Sequence, residues 1–252
     1  MGEVVRYSVS DDVATLTLDS PANRNALSRQ LLGELHDGLD RAERHRGLRA
    51  VVLTHAGTVF CAGADLKERS SGPPDSTPFV RALERLADAP VPTIAAVNGT
   101  VRAGGIGLMA ACDLVVIHPD VTFAFTEVRI AVAPAIISVP IVRRVRPTDL
   151  AAPFLTGDVF DAAHALAIGL VNAVDADVKA TVERWCDGIR AGAPRAVAET
   201  KRLLRDVPAL DRSTAYARMG ALSDELFESP DAGEAMLAFR EKRLPGWSKE
   251  RM

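Results

Sequence analysis

The chain has 252 residues, 48% hydrophobic and 25% charged, a composition that buries a sizeable core and argues against intrinsic disorder. Lys plus Arg is 30 against 33 Asp plus Glu, a formal net charge of −3, so neither nucleic acid nor an anionic membrane surface is an expected partner. Three scattered cysteines, Cys61, Cys112 and Cys186, exclude a disulfide framework and fit a reducing compartment.

The opening MGEVVRYSVSDD has no apolar run after a basic start and does not read as a signal peptide. Arg6 stands where an N-myristoylation signal carries Ser or Thr. No 18-residue apolar stretch predicts a membrane span. The expectation is a cytoplasmic globular protein.

In chain order, residues 4–9 and 13–18 read as strands joined by an Asp11-Asp12 turn, with Ala14, Leu16 and Leu18 alternating against Thr15 and Thr17. Ser28 caps a predicted helix whose apolar stripe is Leu31, Leu32, Leu35, Leu39 and Ala42. Residues 50–54 form a short buried strand, followed by a loop of small residues over 55–65. The polar, Pro-rich segment 70–78 reads as surface. A helix over 79–87 stops at Pro90 and Pro92, before a strand over 93–97. Then come a helix over 104–112, a strand over 113–117, a helix over 161–168 closed by Gly169, and a strand over 170–174. Strands alternating with helices predict an α/β protein with parallel pairings. Beyond about residue 178 the strand pattern ends. Pro194 and Ser229-Pro230-Asp231 are helix starts. The predicted organisation is a β/α core over 1–193 and a helical region over 194–252.

Five histidines share no metal-ligand spacing, and no GxSxG elbow is present. Gly105 to Ala110 matches G-x-G-x-x-A, but seven residues separate the first of those glycines from the preceding strand. A dinucleotide fingerprint needs them in the turn directly after it. Two loops of small residues, 60–65 and 98–105, each follow a strand and let backbone approach a ligand. Gly104 falls near a helix N-terminus, where N–H groups point outward. Two converging N–H groups would make an oxyanion hole. Spacing alone leaves tight structural turns as an equal reading.

The chain resembles the crotonase, or enoyl-CoA hydratase/isomerase, superfamily. The matching stretches are Asn23-Arg24-Asn25-Ala26-Leu27, residues 60–67 (FCAGADLK), residues 95–99 (AAVNG), residues 111–114 (ACDL), residues 123–127 (FAFTE) and residues 239–243 (FREKR), in the family's order and across nearly the whole chain. The resemblance implies a crotonase-like spiral of ββα turns with a helical C-terminal region that builds homotrimers or dimers of trimers. It implies an acyl-CoA substrate, with coenzyme A as part of that substrate and no separate cofactor or metal. Carried over by position, the backbone N–H groups of Ala64 and Gly104 hold the thioester oxygen. Ala22, Arg24, Ala26, Ala62, Asp65, Leu66 and Lys67 line the coenzyme A site. Phe239 and Lys242 reach the coenzyme A of a neighbouring subunit.

The chain departs from the family at the catalytic carboxylates. Hydratases of the family use two glutamates, and here the second falls on Glu127 while the first falls on Gly107. Read without the family, Glu127 is an acid in an apolar stretch running to Ile137, where desolvation raises its pKa and suits it to acid/base work. An ion pair with Arg102 or Arg129 is the alternative. The resulting expectation is a hydro-lyase of fatty acid metabolism, adding water to a 2-enoyl-CoA with one acid/base. An isomerase moving the double bond, or a non-catalytic acyl-CoA binder, is the alternative. Some hydratases of the methylglutaconyl type are similar at the glycine and at the Thr-Glu-Val-Arg stretch, and Arg102, Lys67 or Arg129 would then be candidates to meet a substrate carboxylate, with solvated surface charge as the alternative for each.

Overall fold

The computed structural model describes residues 2–69, 73 and 75–248. Of the polar segment 70–78, residues 70–72 and 74 lie outside the described residues. The elements are β1 (Val5–Ser10), β2 (Val13–Leu18), α1 (Arg29–Arg44), β3 (Ala50–His55), β4 (Val59–Cys61), α2 (Leu66–Arg69), α3 (Thr77–Asp88), β5 (Thr93–Val97), β6 (Thr100–Arg102), α4 (Gly104–Ala110), β7 (Leu114–Ile117) and β8 (Thr122–Ala124). A 3₁₀ turn over Thr126–Ile130 leads to α5 (Ala135–Ile141), α6 (Pro147–Thr156), β9 (Phe160–Asp161), α7 (Ala162–Ala167), β10 (Ala173–Val174), α8 (Val178–Ala191), α9 (Pro194–Asp206), α10 (Arg212–Phe227) and α11 (Pro230–Glu241). The chain divides after Arg184, part-way along α8, into two compact units.

In the first unit, six strands form one sheet in the order β1-β2-β3-β5-β7-β10, and four short strands form another in the order β4-β6-β8-β9. β1 and β2 pair antiparallel, and β2-β3, β3-β5 and β5-β7 pair parallel. From β3 onward, each turn of chain lays a strand in the larger sheet, then one in the smaller, then a helix. β3-β4, β5-β6 and β7-β8 are three successive turns of this spiral. The repeat is one of structure, since the sequence shows none.

The central strands are near-continuous apolar runs, and β5 is buried at every residue, as expected of parallel strands covered on both faces. α1 begins where Ser28 Oγ accepts the Leu31 N–H at 3.1 Å, and it buries Leu31, Leu32, Leu35, Leu39 and Ala42. Each fully buried leucine contributes roughly 1.5–3 kcal/mol. Asp161 is the cap of α7 rather than its first residue, its Oδ1 accepting the His164 N–H at 2.8 Å. The strand expected over 170–174 is only Ala173–Val174, because the Leu170 and Val171 N–H groups turn back to the Ala165 carbonyl.

The second unit is helical, and Ser229 caps α11 by accepting the Ala232 N–H at 3.2 Å. Trp247 Nε1 donates to the Ala191 carbonyl at 3.1 Å, tying the last described turn to α8. An apolar groove of about 470 Å³ lies among α9, α10 and α11, lined by Leu203, Val207, Leu222, Leu226 and Phe227. Among the described residues no helix is long and apolar enough to cross a membrane, and no group of three His, Cys, Asp or Glu could hold a metal.

Candidate active site

The first wall is built by the segment 20–27 against the loop after β4. Asn25 is fully buried. Its Oδ1 accepts the Ser20 N–H at 2.7 Å, and its Nδ2 donates to the carbonyls of Ala56 and Val59 at 3.1 and 2.8 Å. One amide thus fixes the bend through Arg24 and Asn25, both in the left-handed region at φ 58° and 53°. That bend delivers the Arg24 carbonyl to the Ala62 N–H at 3.1 Å and the Leu27 N–H to the Gly63 carbonyl at 2.8 Å. Leu27 and Ala64 form a parallel bridge. In that pairing the Ala64 N–H is not the one used, and it has no acceptor among the described residues.

The second wall is the turn from β6 into α4. The Ala103 N–H bonds the Ala124 carbonyl at 3.0 Å. Ala103 itself sits at φ 48°, ψ −121°, a conformation costly for any residue with a Cβ. Gly104 opens α4, so no helical carbonyl precedes it to receive its N–H. The two loops touch. A Cβ on Gly104 would stand 2.7 Å from Leu27 Cδ1 and 3.6 Å from Gly63 Cα, so any larger residue would have to displace the Leu27 side chain. The structure therefore brings the expected pair, Ala64 and Gly104, onto adjoining backbones.

Behind the first loop, Cys61 is fully buried, its Sγ accepts the Gly63 N–H at 3.4 Å, and burial pushes its thiol up to about 12. The far end of α4 is held by Arg144, whose guanidinium donates to the carbonyls of Ala110 and Cys112 and to Asn172 Oδ1.

Glu127 lies in the 3₁₀ turn, and its Oε2 is buried with no hydrogen-bond partner. Burial raises its pKa above the ordinary carboxylate range, and a hydrogen bond from its own backbone N–H partly opposes the rise. Neither arginine weighed as its partner takes it. Arg129 pairs with Asp158 at 2.8 Å, and Arg102 donates to the Val101 and Thr122 carbonyls and to Thr122 Oγ1. An unpaired, desolvated carboxyl is what a proton-transfer group requires.

Gly107 sits one turn below Gly104. A Cβ there would lie 2.4 Å from Cγ2 and 2.7 Å from Cβ of Ile137. The residue at α5 thus fills the space beside it, a contact that thirty residues of separation hide from the sequence.

The remaining positions separate into groups. Ala22, Arg24, Ala26 and Ala62 all lie on the paired segments just described. Asp65 accepts the Lys67 and Glu68 N–H groups at 3.0 and 3.2 Å and so caps α2, which carries Leu66 and Lys67 exposed. Phe239 is exposed on α11, and Lys242 ends that helix at φ 54°. Sequence reasoning quoted Asn25 and Ile137 without giving either a role. It missed Ala103, since no local pattern marks an alanine with positive φ.

The sequence profile described as enoyl-CoA hydratase/isomerase matches residues 8–250. A Thermus thermophilus protein named "Putative enoyl-CoA hydratase" is 38% identical over 92% of this chain and 96% of its own length. Enoyl-CoA hydratase EchA19 of Mycobacterium tuberculosis is 31% identical over 92% of this chain and 91% of its own. The crystal structure of enoyl-CoA hydratase from Mycobacterium smegmatis superposes with a TM-score of 0.90 at 32% identity, covering 97% of this chain and 98% of the other.

Proposed function

The chain belongs to the enoyl-CoA hydratase/isomerase family, and from that premise we propose that it adds water to, or removes it from, a 2-enoyl-CoA thioester. The observation that carries this reading is Glu127 Oε2, buried without a hydrogen-bond partner, in the unit that also holds the Ala64 and Gly104 backbone N–H groups. Those two donors bind the thioester oxygen. Glu127 takes a proton from water as its oxygen bonds C3. The electron pair of the double bond moves towards the carbonyl, and the enolate oxygen rests on the two N–H groups. Glu127 then passes the proton to C2. One lost donor in such a hole costs roughly 2.7–4 kcal/mol.

Isomerisation is the second reading, favoured by Ile137 beside Gly107. Moving a double bond between C3–C4 and C2–C3 needs one base, which removes a proton from C2 or C4 and returns it to the other. Turnover of crotonyl-, 3-methylglutaconyl- and 3-hexenoyl-CoA separates the two. Glu127→Gln is expected to lower kcat at least about 10²-fold with little change in KM. Near-wild-type turnover by that variant would remove Glu127 from the mechanism.

We also propose assembly as a homotrimer or dimer of trimers, with Phe239 and Lys242 against the coenzyme A of a neighbouring copy. The support is the apolar surface of the helical unit, where Leu204, Phe227 and Phe239 are all more than two-thirds exposed.

A further inference from the structure

Gly104 and Gly107 are three residues apart on α4 and so share a helix face. Gly104 turns its backbone to the first loop, and Gly107 continues the same wall. What stands against Gly107 is Ile137, 3% exposed, on α5. The Cβ position on Gly107 lies 2.4 Å from its Cγ2, 2.7 Å from its Cβ and 3.3 Å from its Cα. The two shortest distances are below what non-bonded carbons tolerate, and the atom at 2.7 Å is a Cβ fixed to the backbone, so a side chain at position 107 requires α5 to shift. Ile137 is β-branched and cannot swing clear by changing χ1 alone. The two positions are thus coupled: glycine at one is the condition for isoleucine at the other.

We propose that Ile137 is the specificity-determining residue of the acyl-CoA site, lining the α4 wall with hydrocarbon, barring a second acid from it and leaving Glu127 to move every proton. This rests on Glu127 being the acid/base. It also names the substrate class: thioesters whose reaction runs on one base and whose reacting end tolerates an apolar wall, in preference to small 2-enoyl-CoAs whose attacking water needs two acids to hold it.

The test is the pair Gly107→Glu with Ile137→Gly, since an alanine at 137 would keep the offending Cβ. Gly107→Glu alone is expected to lower Tm and turnover. The double variant is expected to regain Tm over Gly107→Glu, to hydrate crotonyl-CoA about tenfold faster than either wild type or Ile137→Gly, and to show a second ionisation in its kcat–pH profile. The packing half is read without activity by Gly107→Ala, which should lower Tm in the wild-type background and do so much less in the Ile137→Gly background. Equal Tm losses in both backgrounds overturn the proposal. So does a folded double variant with neither faster hydration nor a changed pH profile. A wild type inert on every thioester strikes the hydratase and isomerase readings and the specificity role of Ile137 with them, while the Tm comparison separately decides the Gly107–Ile137 packing.

Discussion

The two units of the chain bury their side chains very differently. Up to Arg184 the structure holds a continuous apolar core in which Leu16, Leu53, Phe60, Ile106 and Phe123 are wholly inaccessible. From Trp185 to Ser248 only Cys186 and Ala238 are buried, while Leu204, Tyr216, Phe227 and Phe239 stand at 70% exposure or more. Hydrophobicity is present in both, but only the first unit gathers it into a continuous core, with Leu155 and Val159 among the exceptions left exposed. The difference teaches where apolar surface goes: the first unit encloses it in a core, and the second leaves it on the outside of its helices.

The sharpest way to break this contrast is a matched pair of truncations. Leu53→Ala should cost about 2–5 kcal/mol in denaturant unfolding, the range for a buried leucine. Leu204→Ala in a dissociated chain should cost less than about 0.5 kcal/mol, as for an exposed site. At concentrations where the chain assembles, Leu204→Ala should cost more and the species seen by sedimentation should shift towards monomer. A stable wild-type monomer at micromolar concentration would remove the trimer and the shared role of Phe239 and Lys242.

A smaller effect is expected within the first unit, where packing holds a backbone in a conformation its sequence disfavours. Ala103→Gly should raise stability by about 1 kcal/mol by relieving positive φ, read as a higher urea midpoint. Since the Ala103 methyl lies 2.8 Å from where a Cβ on Gly63 would stand, its loss should also slacken the join between the loops and lower kcat. A variant that loses stability would show that this methyl contact outweighs the strain.

The smallest effect is a pH dependence. His55 is held below its ordinary value of 6.5 by burial, and its Nε2 accepts the Asn98 N–H at 3.0 Å. The folded chain therefore binds fewer protons there than the unfolded one. The stability contributed by neutral His55 is fully present above 6.5 and is lost as pH falls through the lowered value. Glu127 acts oppositely: its raised pKa makes the folded state the better proton binder, so its contribution falls as pH rises above the ordinary 4.5. Glu127→Gln should flatten that alkaline-going slope, and urea midpoints across pH 4–8 would show it.

Long elements were legible in the sequence because period and caps coincide, as at Ser28 with its leucine stripe and at the β3, β5 and β7 runs. The smaller sheet was not. β4, β6 and β8 have three residues each and β9 has two, too few for alternation to register. α5 and α6 were hidden by Pro140 and Pro153 inside them, residues that ordinarily end a helix. Of the candidate site, the glycine and small-residue loops and Glu127 could be located from motif. The Asn25 anchor, the strained Ala103 and the Gly107–Ile137 contact arise only when distant segments meet.

Cys61 gives the site a chemical clock. Its thiol is enclosed and protonated in the folded chain, and it lies two residues from Gly63 on the loop that presents Ala64. Alkylating reagents attack exposed thiolate, so modification of Cys61 must wait for that loop to open. With Cys112 and Cys186 removed, the labelling rate would count those openings directly, and an acyl-CoA bound against the loop would slow the count in proportion to its occupancy.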